Sequence, residues 1–347
     1  DTVDFDPGSG TASLTSAGST DIFILKLDST GAFGWVKQIG GTGADDGNAI
    51  TTDSSGNVYV GGRFYSTIDF DPGAGTTNLT AGSAGDAFVL KLDSNGDYLW
   101  AKDMGGNSWN AAYSIAVHST GVYTTGLFAG TTDFDPGAGT ANLVAPGGQT
   151  WLDQSYVSKL DTDGNYLWAK SIGGSQWDTG ESLAVDSTGA VYLTGYFEST
   201  ADFDPGAPTV NLTAVSDDVY VLKLDADGVY VWAKKLGGTS SDVGMNIAVD
   251  SSNNVYTTGY FNGTADFDPG AGTANLTSAG ARDFFISKLD SNGDFAWVKQ
   301  VGGTGNDQST AGNSLVVNSG GVYVAGLFND TVDFDPGSGT ASLTSAG

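Results

Sequence analysis

The chain holds no cysteine, one histidine (His118) and two glutamates (Glu181 and Glu198) in 347 residues. Without cysteine there are no disulfides and no thiolate metal sites. With one histidine and two glutamates, there is little material for nucleophilic triads, zinc sites or a glutamate acid/base pair, so the expectation is a protein that is not an enzyme, with no catalytic residue to name. Basic residues are scarce: 13 Lys plus Arg stand against 40 Asp plus Glu, a net charge of −27, which argues against nucleic acid as a partner. No apolar run reaches the ~18 residues of a membrane span, so insertion into a membrane is not expected. Runs of Ala, Glu, Lys and Leu at helical period are almost missing, and helix should be close to absent.

What is present is glycine, 53 residues of it, and a repeat. Asp-Phe-Asp-Pro-Gly starts at Asp4, Asp69, Asp133, Asp202, Asp266 and Asp333, at spacings of 65, 64, 69, 64 and 67 residues. Residues 1–18 recur letter for letter as 330–347, so the register returns to its start after five units. A continuous period of this length argues for one repeat architecture rather than several unrelated domains.

Each unit reads as four strands, A to D. Residues 113–117 and 122–128 flank a glycine-containing turn and form one hairpin; 156–160 and 166–170 flank Asp161-Thr-Asp-Gly164 and form another. Val-Tyr opens strand B at Val58, Val122, Val191, Val255 and Val322, and Lys-Leu-Asp closes strand C at Lys26, Lys91, Lys159, Lys223 and Lys288. One Trp sits in every strand D, at Trp35, Trp100, Trp168, Trp232 and Trp297, as needed to fill the wedge between radially packed sheets. The fold expected is all-β, a propeller of five four-stranded blades.

The boundaries follow from the columns. Residues 1–20 form an incoming linker or insert, and 21–40 strands C and D alone. Blade I is 41–104, blade II 105–172, blade III 173–236 and blade IV 237–301. Residues 302–328 supply strands A and B alone, and 329–347 an outgoing insert. The fifth blade is expected to be composite, with C and D from the start of the chain and A and B from its end or from a neighbouring molecule, which would hide edges that an open sheet leaves unpaired.

The run Lys-Leu-Asp-x-x-Gly-x-x-x-Trp-x-Lys-x-x-Gly-Gly, followed by Ala-Val-Asp-Ser-x-Gly-x-Val-Tyr-x-x-Gly, resembles the SBBP β-propeller repeats of secreted and surface proteins of bacteria. The variety with Asp-Phe-Asp-Pro-Gly resembles large secreted proteins of the Bacteroidota. The resemblance covers all five units. It implies a propeller at an extracellular or cell-surface location and carries no catalytic motif.

Two places could carry chemistry. In an extended Asp-Phe-Asp both carboxylates point one way, so Asp4, Asp6, Asp69, Asp71, Asp133, Asp135, Asp202, Asp204, Asp266, Asp268, Asp333 and Asp335 are candidate oxygen ligands for Ca²⁺. The competing reading is that they accept hydrogen bonds from their own loop amides. These inserts share a face with the crossovers from D to A, where Asp45, Asp178, Asp242 and Asp307 sit, and that face should be strongly acidic. Trp109, Trp151 and Trp177 interrupt the regular pattern and could stack on sugar rings or cap a blade. His118 lies in a turn column otherwise filled by Asp53, Asp186, Asp250 and Asn318, and reads as a turn residue.

The function expected is a structural repeat module of an extracellular bacterial surface or fibre-forming protein, as beads on a string or polymerised propellers. Its partners would be copies of itself or adjacent repeats. An adhesin module binding surface glycans or proteins through the insert face is the alternative, and a propeller-type glycan hydrolase ranks last.

Overall fold

Alternating β-branched and aromatic residues bounded by Asp-x-x-Gly turns leave the backbone little choice but antiparallel hairpins. In the computed structural model of the chain, which describes residues 1–309 and 314–346, every regular element among those residues is accordingly a strand apart from one 3-10 turn at Pro146–Gly148. Residues 310–313, inside the segment expected to supply strands A and B, and Gly347 lie outside the described residues. No helix among those described is long and apolar enough to cross a membrane.

In blade I strand A (Asp46–Thr52) pairs with B (Val58–Phe64), B with C (Asp86–Leu92) and C with D (Tyr98–Gly106). Blade III repeats that order through Asp178–Val185, Val191–Asp202, Asn211–Leu224 and Tyr230–Gly238. Blade IV does so through Val243–Val249, Val255–Phe261, Asp283–Leu289 and Phe295–Val301. The strands of blade II are Asn110–His118, Gly121–Phe128, Gln154–Leu160 and Tyr166–Gly174.

The chain divides into two compact units, one of residues 1–124, 128–151 and 158–168, the other of 125–127, 152–157 and 169–347. In the first, strands C and D at the start of the chain (Ile22–Leu27 and Phe33–Ile39) lie against blade I around Ile22, Ile24, Val60, Phe64, Phe88 and Leu90. In the second, blades III and IV enclose Tyr192, Val219, Val221, Ile247, Phe261 and Phe285. Burying each such side chain contributes roughly 1.5–3 kcal/mol, which makes these layers between blades the main source of stability.

The tryptophan column lines one edge of this packing. The Trp232 indole meets Tyr192 edge-on at 6.2 Å and donates Nε1–H to the Ser291 carbonyl, in the C–D turn of the next blade, at 3.4 Å. Trp100 does the same with Tyr59 (6.1 Å) and the Thr162 carbonyl (3.2 Å). The lysine that closes strand C sits over the same tyrosine ring, Lys91 on Tyr59 at 5.0 Å and Lys223 on Tyr192 at 4.9 Å.

Three expectations need correction. Strand D runs on to Gly106, Gly174 and Gly238, two residues past the expected blade ends, because the glycine pair joins the insert of the following blade: Gly105 faces Asp133, Gly173 faces Asp202, Gly237 faces Asp266. Among the described residues no composite blade forms within the chain: Ile22–Leu27 pairs only with Phe33–Ile39, Leu315–Asn318 only with Gly321–Val324 and Gln308–Ser309 only with Gly326–Leu327, and no sheet closes. The crossover aspartates do not make an exposed acidic face, because Asp45, Asp178, Asp242 and Asp307 are all buried.

Candidate functional site

The inserts are two-stranded hairpins, Thr67–Asp69 with Asn78–Thr80 in blade I and its counterparts elsewhere. Their carboxylates turn inward. Asp69 Oδ1 accepts the amide hydrogens of Asp71 (3.0 Å) and Thr77 (2.7 Å), and Asp71 Oδ1 accepts that of Gly73 at 2.8 Å. The same three bonds recur at Asp4 and Asp6, Asp133 and Asp135, Asp202 and Asp204, Asp266 and Asp268, and Asp333 and Asp335. At Asp4 and Asp333 the amides of Ala12 and Ala341, then those of Asp6 and Asp335, hold the carboxyl below its usual range. Among the described residues no three His, Cys, Asp or Glu side chains converge as ligands for one metal ion. The phenylalanine between the two aspartates faces the other way, and Phe70, Phe134, Phe203 and Phe267 are fully buried.

The crossover aspartates are straps of the same kind. Asp242 accepts the amides of Gly238 (2.8 Å) and Asn262 (3.0 Å), tying the end of strand D to the end of strand B; Asp45 and Asp307 repeat this with Gly41 and Tyr65, and with Gly303 and Asn329. Asp178 accepts Gly174 N–H at 2.6 Å. Burial pushes the carboxyls of Asp178 and Asp242 up to about 7. Asn110, which replaces the acid in blade II, donates to the Ser108 carbonyl and accepts from the Thr132 hydroxyl.

The aromatic candidates do not behave alike. Trp151 is 67 % exposed and Trp177 49 %, whereas Trp109 is half-buried with the Arg63 guanidinium 5.5 Å over its ring. His118 Nδ1 lies 2.8 Å from the Thr120 hydroxyl, the turn bond that Asp186 makes with Thr188.

Sequence reading overlooked one group. Both glutamates lie in blade III, and Glu198 is directly opposite Asp217 across the ladder from B to C. Burial, and then the hydrogen bond and charge of Asp217, raise the Glu198 carboxyl, while Ser241 Oγ donates to Asp217 Oδ2 at 2.6 Å. Burial alone lifts Glu181 to about 7. The available signal was departure from the column: Glu198 stands where the other blades carry Tyr65, Ala129, Asn262 and Asn329.

The least satisfied surfaces are the two half-blades. Phe23 is 57 % exposed, although its column mates Phe88, Tyr156, Tyr220 and Phe285 are wholly buried. Tyr323 is also 57 % exposed, against none of Tyr59, Tyr123 and Tyr192 and 7 % of Tyr256. Beside the C-terminal half-blade lies an apolar cavity of about 290 Å³ lined by Phe284, Ile286, Val301, Val324, Leu327 and Phe328, among others.

Two segments of the chain, 34–70 and 231–268, match the SBBP family model, described as a beta-propeller repeat, and these matches support that family. The chain is also similar to an uncharacterized WD repeat-containing protein of Acanthamoeba polyphaga mimivirus, 25 % identical over 340 residues that cover 82 % of this chain and 24 % of that protein. It is similar to the regulatory protein FlaEY of Caulobacter vibrioides, 25 % identical over 346 residues, 93 % of this chain and 34 % of that one. The chain therefore spans about a quarter to a third of the length of these curated relatives.

Proposed function

We propose that this chain is a non-enzymatic structural module of a bacterial surface or fibre-forming protein, outside the cell, whose half-blades are completed by adjacent repeats or by copies of itself. The observation that carries this reading is the contrast in burial just described. Residues fully covered in every complete blade are open only where a blade has two strands, and the exposed edges carry unpaired backbone groups as well. A net charge of −27 would keep such assemblies dispersed.

Sedimentation of the chain over a range of concentrations tests it. The weight-average mass should rise with concentration, and Tyr323→Asp, which places a charge in the open seat, should hold the chain as a monomer. A mass independent of concentration would remove the assembly role.

Binding of a glycan or protein partner is the second reading, favoured by the exposure of Trp151 and Trp177. Retention of a surface polysaccharide by the chain, abolished by Trp177→Ala, would support it.

The insert aspartates serve this module as loop staples. A Ca²⁺ ion would have to compete with the amides that already occupy Oδ1 of each carboxylate. The melting temperature should therefore be unchanged by a chelator, yet fall in Asp69→Ala, which strands two amides at about 1–3 kcal/mol each, and stay nearly constant in Asp69→Asn, which keeps the acceptor. A melt lowered by chelation would restore calcium to the inserts.

A further inference from the structure

Blade III holds a pair of side chains that no other unit repeats. Three residues past the tryptophan of strand D stand Gln38, Asp103, Ser171, Lys235 and Gln300, so an amine occupies that column only in blade III. Lys235 Nζ donates to Asp218 Oδ2 of strand C at 2.7 Å. Asp218 is fully buried and the Lys235 side chain is 33 % exposed. Blade IV satisfies the equivalent carboxylate with an amide, Gln300 Nε2 donating to Asp283 Oδ2. A side-chain amide does no more than hold the carboxylate, whereas an amine is also a nucleophile toward its carbon.

A second carboxyl stands against the pair. A Cβ on Gly237 would press on Asp218 Oδ1 and lie 3.0 Å from Asp242 Oδ2, so both carboxyls crowd the same glycine. Burial raises the Asp218 carboxyl in spite of Lys235, and raises that of Asp242 to about 7. At neutral pH Asp242 therefore carries a proton in a large share of molecules, where an ordinary aspartate carries none. That proton is placed to serve Asp218 Oδ1.

The geometry points to a covalent bond: Lys235 Nζ and Asp218 Cγ condense to an amide that rivets strand C to strand D of blade III. Transfer of one proton along the hydrogen bond first gives an amine and a neutral acid. Nζ then bonds to Cγ while Asp242 steadies the charge gathering on Oδ1. The Cγ–Oδ2 bond breaks, and Oδ2 leaves as water. Of the three hydrogens on the ammonium, one stays on the amide nitrogen and two depart in that water, so atoms and charge balance with no oxidant or cofactor. Two effects favour the product. Reactants held in contact avoid the entropy of encounter, and a buried ion pair with its desolvation cost gives way to a neutral amide. The bond lies within one blade and does not depend on assembly of the half-blades. It would give a chain without cysteine a covalent cross-link of another kind.

Intact-mass spectrometry of the folded full chain, kept at neutral pH, decides it. The mass should fall short of that of the sequence by one water, about 18 Da. Trypsin should leave residues 171–223 joined to 235–282, because an amidated Lys235 is no longer a cleavage site. Lys235→Gln, which copies Gln300 and should keep the fold, should show the full mass. Asp242→Asn should slow the loss of water by about a hundredfold or more. A folded chain that retains its full mass, or a water deficit that persists in Lys235→Gln, would overturn the bond. So would a deficit that maps to a cyclised Asp-Gly turn such as Asp227-Gly228, with no joined peptides. Condensation of Asp242→Asn at the parental rate would overturn the part assigned to Asp242.

Discussion

Gly195→Ala should lower the melting temperature by about 10 °C or prevent blade III from folding. A Cβ built on Gly195 would fall 1.8 Å from the Thr179 carbonyl oxygen, with the Tyr220 ring 3.1 Å away. The cause is a bulge. Strand A of blade III shifts register between Gly180 and Ser182 and thereby pushes a carbonyl toward strand B. A Cβ on Gly62 would meet the Asp46 carbonyl oxygen at 1.9 Å opposite the shift between Gly47 and Ala49, and one on Gly259 would meet that of Val243 at 1.9 Å opposite the shift between Gly244 and Asn246. The obstacle is main chain on one side and a fully buried ring on the other, so neither can move aside without opening the sheet. A backbone clash in a packed core costs about 3 kcal/mol or more, and in a body of this size each kcal/mol is worth roughly 2–4 °C. Val215→Ala, on the 75 % exposed side of the neighbouring strand, is the control and should change the melt little. Thermal denaturation followed by circular dichroism decides it, and a Gly195→Ala melt matching that of the control would refute the account of the bulge.

That glycine shows what was legible beforehand. Val-Tyr-x-x-Gly was visible as a column, and so was one Trp per strand D, because local pattern and repetition report strand period and packing. Why the glycine must be there was not visible, since its reason lies in a carbonyl of another strand. Long-range pairing was the general blind spot. The Gly-Gly that ends strand D reads as a loop until Gly105 is found opposite Asp133, 28 positions later. The crossover aspartates read as surface acid because Asp is ordinarily exposed, and only the amides of Gly238 and Asn262 converging on Asp242 make its burial intelligible. The pairing of Glu198 with Asp217 was hidden because no other blade carries an acid in the Glu198 column, so no repeat announces the pair. That strands C and D stand alone near the start of the sequence and A and B near its end was legible; what either half-blade pairs with was not, since sequence period says nothing of who supplies the missing strands.

Those buried carboxyls set the second large effect: the protein should melt higher at pH 5 than at pH 8, by about 5 °C or more, and lower again below pH 4. Asp178 and Asp242 are almost wholly buried, and burial raises each to about 7, well above the ordinary 3.8 of an exposed aspartate. Between those values the folded chain binds protons that the unfolded chain has already lost, so stability is full at the acid end of the window and is lost as pH rises through 7. Asp218 beside Asp242 adds to its rise and Lys235 opposes it. The turn aspartates work in the other direction and in another window. Hydrogen bonds from Thr30 to Asp28, from the Asp97 amide to Asp93 and from the Asp294 amide to Asp290 hold those carboxyls below 3.8, so the stability they lend is present above that value and lost only in stronger acid. Because the windows meet near 3.8 and do not overlap, a maximum near pH 4 follows. Asp178→Asn combined with Asp242→Asn keeps an acceptor for the Gly174 and Gly238 amides while removing the titration, and should raise the melt at pH 8 and flatten the slope above pH 5. A double variant that retains the full slope would place the pH response elsewhere, in the relief of a −27 net charge.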